Sequence, residues 1–190
     1  SKVIKQIDAY EPYNEQEARD KEIILSMLTE AERMGEDIFS RENRMAHMTA
    51  SAWVVNRDRT KVLLAYHNIY NSWAWLGGHA DGERNLLSVA VREVCEESGL
   101  TPAHVRPAWL ISQKGDLSQG SAGDIFSLEV LAVGGHFKKG EYISSHLHLN
   151  VTYLLESDEE ETLHKKEDEN SSVKWFLPEE ALAVSSEPWF

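Results

Sequence analysis

Hydrophobic and polar positions follow two different rhythms along the 190-residue chain. The first 44 residues read as helical. Asn14 can cap a helix, with Glu17 three residues on in the manner of a capping box. Ile24, Met27, Leu28, Ala31 and Met34 then recur at helical spacing, and Gly35 stops the run. Glu36 to Arg44 is polar and reads as a connection. From Thr49 the rhythm shortens. Thr49–Val55 and Lys61–Tyr66 are β-rich runs separated by Asn56 to Thr60, which predicts a hairpin. Trp73-Ala74-Trp75-Leu76 leads into two glycines, and Asn85–Ser98 has helical spacing. Further strands are expected at Trp109–Gln113, Ile125–Val133, His148–Leu155 and Val173–Phe176, with a last short helix starting at Pro178. The expected fold class is therefore α+β: a mixed sheet between helices, an α/β/α sandwich, over residues 45–190, preceded by a helical extension over residues 1–44.

Composition narrows the function. With 19 basic and 32 acidic side chains the net charge is −13, which argues against a nucleic-acid polymer as partner, since phosphate binding needs clustered Lys and Arg. No apolar run approaches the ~20 residues of a membrane span, and the first residues lack the apolar stretch of a signal peptide. Cys95 is the single cysteine, so neither an intramolecular disulfide nor a cysteine zinc cluster is expected, and a reducing, cytoplasmic setting is the default. Glu156 to Glu169 carries eight carboxylates against two lysines and reads as a solvated loop between strands. An anionic substrate would need some positive partner to approach such a protein.

The chemistry concentrates between Gly77 and Leu100. On a helix Glu93, Glu96 and Glu97 stand at i, i+3 and i+4, sharing a face, while Leu87, Ala90, Val91 and Val94 would pack inward. Arg92, four residues before Glu96, can brace it, and Gly99 ends the helix. Three clustered carboxylates near a helix C-terminus repel one another and oppose the macrodipole. A hard divalent cation, Mg²⁺ or Mn²⁺, would resolve that conflict with oxygen ligands. The glycines before the helix would allow a tight loop whose backbone approaches metal or phosphate closely. Composition alone favours the plainer alternative, an exposed acidic helix end.

The order of these residues resembles the signature box of the Nudix hydrolases: Gly, five residues, Glu, seven residues, then Arg-Glu-aliphatic-x-Glu-Glu-x-Gly-aliphatic. Gly78 fills the first position; Arg92-Glu93-Val94, Glu96-Glu97 and Gly99-Leu100 fill the second half. Trp73-x-x-Gly-Gly-His79 is similar to the family's lead-in. One position departs: Arg84 stands where the early Glu is expected, with Glu83 just before it. Either Glu83 substitutes through a small loop shift or that role is absent.

The resemblance implies a Nudix-type sandwich and a metal-dependent hydrolase of phosphoanhydrides in nucleoside diphosphates linked to another moiety, or in related di- and triphosphates. It implies Glu93 and Glu97 as main metal ligands, Glu96 as a further ligand or orienting base, the Gly77 carbonyl as completing the site and Arg92 as positioning the glutamates. Members differ in their general base. Glu169, four residues before the late strand, is the second candidate beside the box glutamate, although plain surface charge is weighed above a metal role for it.

Gly78, His79 and Trp73 are the candidates for substrate contact; Trp73, Trp75 and Tyr70 could stack on a base, yet core or rim packing is the more common use of such aromatics. His146 and His148 alternate on an expected strand and would face the same side; they could touch phosphate, with packing or a surface strand weighed above that. His47 and Thr49, just before the first core strand, are treated the same way. Cys95 reads as packing. Two rival functions stay open: a non-catalytic nucleotide sensor, which the Arg84 departure allows, and an enzyme of the isopentenyl diphosphate isomerase type, which needs a pocket cysteine that the box helix position of Cys95 disfavours. The expected partner is a small-molecule diphosphate, and the helical arm is expected to mediate a homodimer or to cover the site.

Overall fold

A computed structural model describes residues 1–68, 71–109, 123–166 and 170–186. In chain order the helices are α1 (Lys2–Ala9), α2 (Glu15–Met34), α3 (Leu86–Ser98) and α4 (Pro178–Val184). The strands are β1 (Ala46–Val55), β2 (Val62–His67), β3 (Ser72–Ala74), β4 (Leu76–His79), β5 (Arg106–Pro107), β6 (Ile125–Val133), β7 (His136–Lys138), β8 (Glu141–Ile143), β9 (His146–Glu156) and β10 (Asn170–Phe176). The chain divides into two compact units: Ser1–Ala50, Gly78–Val89 and Ile125–Thr152 form the first, and Ser51–Gly77, Ala90–Asp124 and Tyr153–Phe190 the second.

In the first unit α2 begins as expected. Asn14 is its cap and accepts from the Glu17 amide at 2.8 Å, and Gly35 closes it at φ 71°, a left-handed conformation that suits glycine. Glu17 does not complete a capping box. Its carboxylate is buried and accepts from the Tyr10 hydroxyl (2.8 Å), the Tyr13 amide (2.6 Å) and the Leu128 amide of β6 (2.9 Å). Asp20, one turn on, accepts from the Val130 amide at 3.1 Å. Two carboxylates of α2 thus satisfy alternate amides of β6, which blunts that strand as a template for foreign pairing. Ile24, Leu28 and Ala31 are buried as the spacing predicts, whereas Met34, the last residue of the helix, is 57% exposed. The helix before them, α1, is an element that the spacing does not predict; Ser1 caps it, and Val3 and Ile7 are its buried positions.

The polar connection is folded as well. Arg41 forms a two-bond pair with Asp81 (2.6 and 2.5 Å), and the Phe39 carbonyl accepts from the Gly82 amide at 3.0 Å. The tight turn before α3 lies here, with Asp81 at φ 50° and Gly82 at φ 89°. Gly77 and Gly78 belong to β4 instead of forming the turn. The two-stranded pair β7–β8 turns through Lys139 and Gly140, both at positive φ.

In the second unit the hairpin forms at its expected place, with Val54 opposite Leu63. Asn56 is buried in its turn and accepts from the amides of Thr60 and Lys61, each at 2.9 Å. Strand β10 pairs antiparallel with β2, β3 pairs β2, and β5 pairs β9. The acidic stretch is tied down more than a solvated loop would be. Asp158 pairs with Arg57 at 3.0 Å, Glu159 with Lys61, and Glu161 accepts from the Thr101 amide at 2.7 Å. Pro178 opens α4 as predicted. Of the expected strand Trp109–Gln113, all but Trp109 lies outside the described residues, as does Tyr70.

Candidate functional site

Burial along α3 changes the picture of its carboxylates. Leu86, Val89, Ala90, Glu93, Val94 and Glu97 are buried, the 3–4 spacing of a single inward stripe. Leu87 and Val91 are only partly covered. Glu93 and Glu97 therefore lie on the inward face, and the side chain of Glu96, 46% exposed, does not share it. A four-residue step from 93 to 97 keeps register on a helix, whereas 96 rotates toward the edge.

Each carboxylate has defined partners in the second unit. Glu97, 1% exposed, accepts from the Gly77 amide at 3.0 Å, and its other oxygen lies 3.8 Å from His67 Nδ1. Its backbone carbonyl accepts from Asn170 Nδ2 at 3.1 Å, and the Asn170 amide in turn donates to the Lys166 carbonyl at 2.9 Å. Arg92 donates to Glu93 at 2.9 Å and stands 3.9 Å from Glu96. Lys166 donates to Glu96 at 3.1 Å. Burial pushes the Glu93 carboxyl above the usual carboxylate range, against the opposing pull of Arg92. Glu169 lies outside the described residues. Trp73 meets Phe176 edge-on at 4.9 Å, and Lys174 Nζ sits 5.8 Å from its ring, so it is packed on both counts.

In the first unit, Arg84 pairs with Asp37 at 3.3 Å and lies 4.7 Å over the Phe39 ring. Glu83 accepts from the Asn85 amide at 2.7 Å, at the start of α3. The same unit gathers histidines. His47, which lies inside β1 and not before it, is 5.1 Å from His79 and 5.0 Å from both His146 and His148, ring centre to ring centre. His146 Nε2 and His148 Nε2 are 3.1 Å apart, so the two do face one side of β9. Burial lowers the His79 imidazole to about 3 and the His148 imidazole to about 2, with Arg41 and the neighbouring rings adding to the effect.

A scan against family models matches the description NUDIX domain over residues 45–189. The chain belongs to the Nudix family. It is an enzyme of the hydrolase class that acts on phosphoanhydride bonds, and its α+β fold is the Nudix fold. Among solved structures, a MutT protein from Methanosarcina mazei Go1 is 17% identical with a TM-score of 0.50, covering 78% of this chain and 88% of its own. A C. elegans Ap4A hydrolase in a binary complex is 16% identical with a TM-score of 0.49, covering 75% and 88%. A NUDIX-family hydrolase from Clostridium perfringens is 23% identical with a TM-score of 0.46, covering 75% and 87%. At 17% identity the likeness to the MutT protein is one of fold alone. No curated protein sequence matches the chain.

Within this Nudix chain, the second unit holds Gly77, Arg92, Glu93, Glu96 and Glu97 of the expected set, and Gly78 and His79 fall in the first. Among the described residues, the group of His, Cys, Asp and Glu ligand atoms that converges within 4.8 Å is His47, His79 and His148; the box glutamates do not form such a group. Sequence reading misses two features of the first unit. One is the histidine cluster. The other is a polar network in which Glu129 accepts from Asn150 (2.8 Å) and Thr152 (3.0 Å), and Asn150 accepts from Thr49 at 2.8 Å. Alternating polar residues on β9, at 148, 150 and 152, are the available signal for both. No described helix is long and apolar enough to cross a membrane.

Proposed function

We propose that the chain is a Mg²⁺- or Mn²⁺-dependent hydrolase of a nucleoside diphosphate linked to another moiety, or of a related di- or triphosphate. The observation that carries the reading is the pair of buried carboxylates on α3, Glu93 and Glu97. Inward-facing carboxylates cost stability unless a cation or hydrogen bonds compensate. Glu93, Glu97 and Glu96 would hold a hard divalent ion through carboxylate oxygen, and Gly77, joined to Glu97 through its amide, would add its carbonyl; the side chains would have to close on the ion, since the box glutamates do not converge on their own. An ion held by these residues would supply neutralisation of diphosphate charge and a more acidic water.

The chain's own residues do the rest. Arg92 fixes the rotamer of Glu93 through its 2.9 Å bond. Gly77 and Asn170 grip Glu97 from its side chain and its backbone. Glu96, exposed and bonded to Lys166, would be the base that takes up a proton from a solvent molecule, and Glu169 is the second candidate base. His79 and Gly78 are assigned to substrate contact, with Trp73 at the rim. Residues 1–44 are taken as an extension of a domain covering 45–190, and a homodimer through that arm and a cytoplasmic setting belong to the same reading.

The test is a panel of nucleotide sugars, dinucleotides, nucleoside triphosphates and non-nucleotide diphosphates, incubated with the full chain in Mg²⁺ or Mn²⁺. Release of phosphate-containing products from at least one class supports the hydrolase. Silence across the panel in both metals, with nucleotide binding retained, supports the sensor.

A further inference from the structure

Histidines 47, 79, 146 and 148 are more than a packed cluster, because the hydrogen bonds of three of them, His47, His146 and His148, set which ring nitrogen carries the proton. His47 Nδ1 lies 3.0 Å from the Asn43 carbonyl, which can only accept. The proton is therefore on Nδ1, and Nε2 presents a lone pair. That Nε2 is fully buried and has no hydrogen-bond partner, on a residue only 4% exposed. An unsatisfied buried polar atom of this kind calls for an explanation.

A similar relay runs through β9. His146 Nδ1 lies 2.8 Å from the Ser144 carbonyl, which makes its Nε2 an acceptor. His148 Nε2, 3.1 Å away, then donates to it, and the lone pair of His148 moves to Nδ1. The result is a carbonyl–histidine–histidine chain that fixes ring and tautomer, the arrangement that supports metal-ligating imidazoles. Ligand atoms of His47, His79 and His148 already lie within 4.8 Å of one another. Three nitrogens at zinc distance stand roughly 3.3 Å apart, so closing on an ion needs shifts within side-chain reach. Neutral imidazoles with lone pairs suit a cation, and one of borderline softness over Mg²⁺.

We propose that His47, His79 and His148 bind a transition-metal ion of the Zn²⁺ type, with His146 orienting His148 and a fourth coordination position left open. Its nitrogen donor set differs from the oxygen set of the α3 carboxylates, so the two sites select different ions. Three histidines plus an open position match zinc sites that hold a water or substrate group.

Chelator-treated full chain is titrated with Zn²⁺ by calorimetry in excess Mg²⁺, and with Co²⁺ followed by visible absorption. The same titrations are run on Glu93→Gln/Glu97→Gln. The expected result is about one Zn²⁺ per chain and a four-coordinate Co²⁺ spectrum, both kept in the glutamate variant. His146→Asn should weaken binding ~10–100-fold, as loss of an orienting partner does, and His79→Asn and His148→Asn should weaken it further. Absence of stoichiometric Zn²⁺ binding by the unaltered chain in excess Mg²⁺ overturns the site. So does binding that is lost in Glu93→Gln/Glu97→Gln, or that survives unchanged in folded His79→Asn/His148→Asn.

Discussion

Glu17 is where the helical arm is fastened, and removing it should be costly. Its Oε1 accepts from the Tyr10 hydroxyl and the Leu128 amide, and its Oε2 from the Tyr13 amide. Glu17→Ala deletes three charge-assisted bonds and leaves the buried Leu128 amide without its acceptor. Hydrogen bonds to a charged group contribute about 1.5–3 kcal/mol each, and an orphaned buried donor costs about 1–3 kcal/mol. With some relaxation and water entry, a net loss of about 3–5 kcal/mol is expected. Glu17→Gln is the sharper test. Both carboxylate oxygens face donors, so an amide must point its NH₂ at one of them, and the change should still cost about 2 kcal/mol. Urea unfolding of the full chain, followed by circular dichroism and tryptophan fluorescence, reads both values. Wild-type stability in Glu17→Gln, or a loss under about 1 kcal/mol in Glu17→Ala, would refute the docking of α2 on β6 through this carboxylate.

Acid should weaken the fold through its histidines. Burial lowers His79 and His148 from 6.5 to about 3 and about 2, so the folded state favours their neutral form. That stability is complete above the unfolded value and is lost as pH falls below it toward the folded values. From about pH 7 to pH 5 the loss is at most about 2 kcal/mol per imidazole. Arg41, Lys138 and the neighbouring rings deepen the effect, and Asp81 opposes it. Glu93 and Glu129, pushed up by burial, act in the opposite sense; urea midpoints of His79→Asn/His148→Asn against wild type isolate the imidazole share and should show a flatter pH dependence. Two glycines separate backbone strain from crowding. Gly35→Ala, at φ +71° in open space, should cost about 1–2 kcal/mol. Gly99→Ala, at φ +74° with His164 Cβ 2.7 Å from the new methyl, should cost at least about 1 kcal/mol more by thermal unfolding.

What can be read from the sequence depends on how local each determinant is. Asn14, Gly35, Pro178 and the Asn56 turn act within a few residues, and each sits where its chemistry predicts. The helix of the box is legible for the same reason, but its orientation is not. Three glutamates at 93, 96 and 97 suggest a shared acidic surface, while packing turns two of them inward. Periodicity names the faces of a helix and leaves open which face a carboxylate can occupy once Gly77 and Asn170 supply hydrogen bonds. The role of Glu17 is hidden by the same limit: its partner Leu128 is 111 residues away. The histidine cluster unites positions on β1, β4 and β9, a convergence that appears only when the strands are placed.

If buried carboxylates of the box helix drive phosphoanhydride hydrolysis, kcat/KM of Glu97→Gln on the best panel substrate in saturating Mg²⁺ registers their role most directly. The amide oxygen of the substituted side chain can still accept from the Gly77 amide, so the fold should persist, as circular dichroism would confirm. A fall of at least ~10²-fold is expected, the scale of losing one electrostatic contributor. A folded Glu97→Gln enzyme within about threefold of wild type would contradict it.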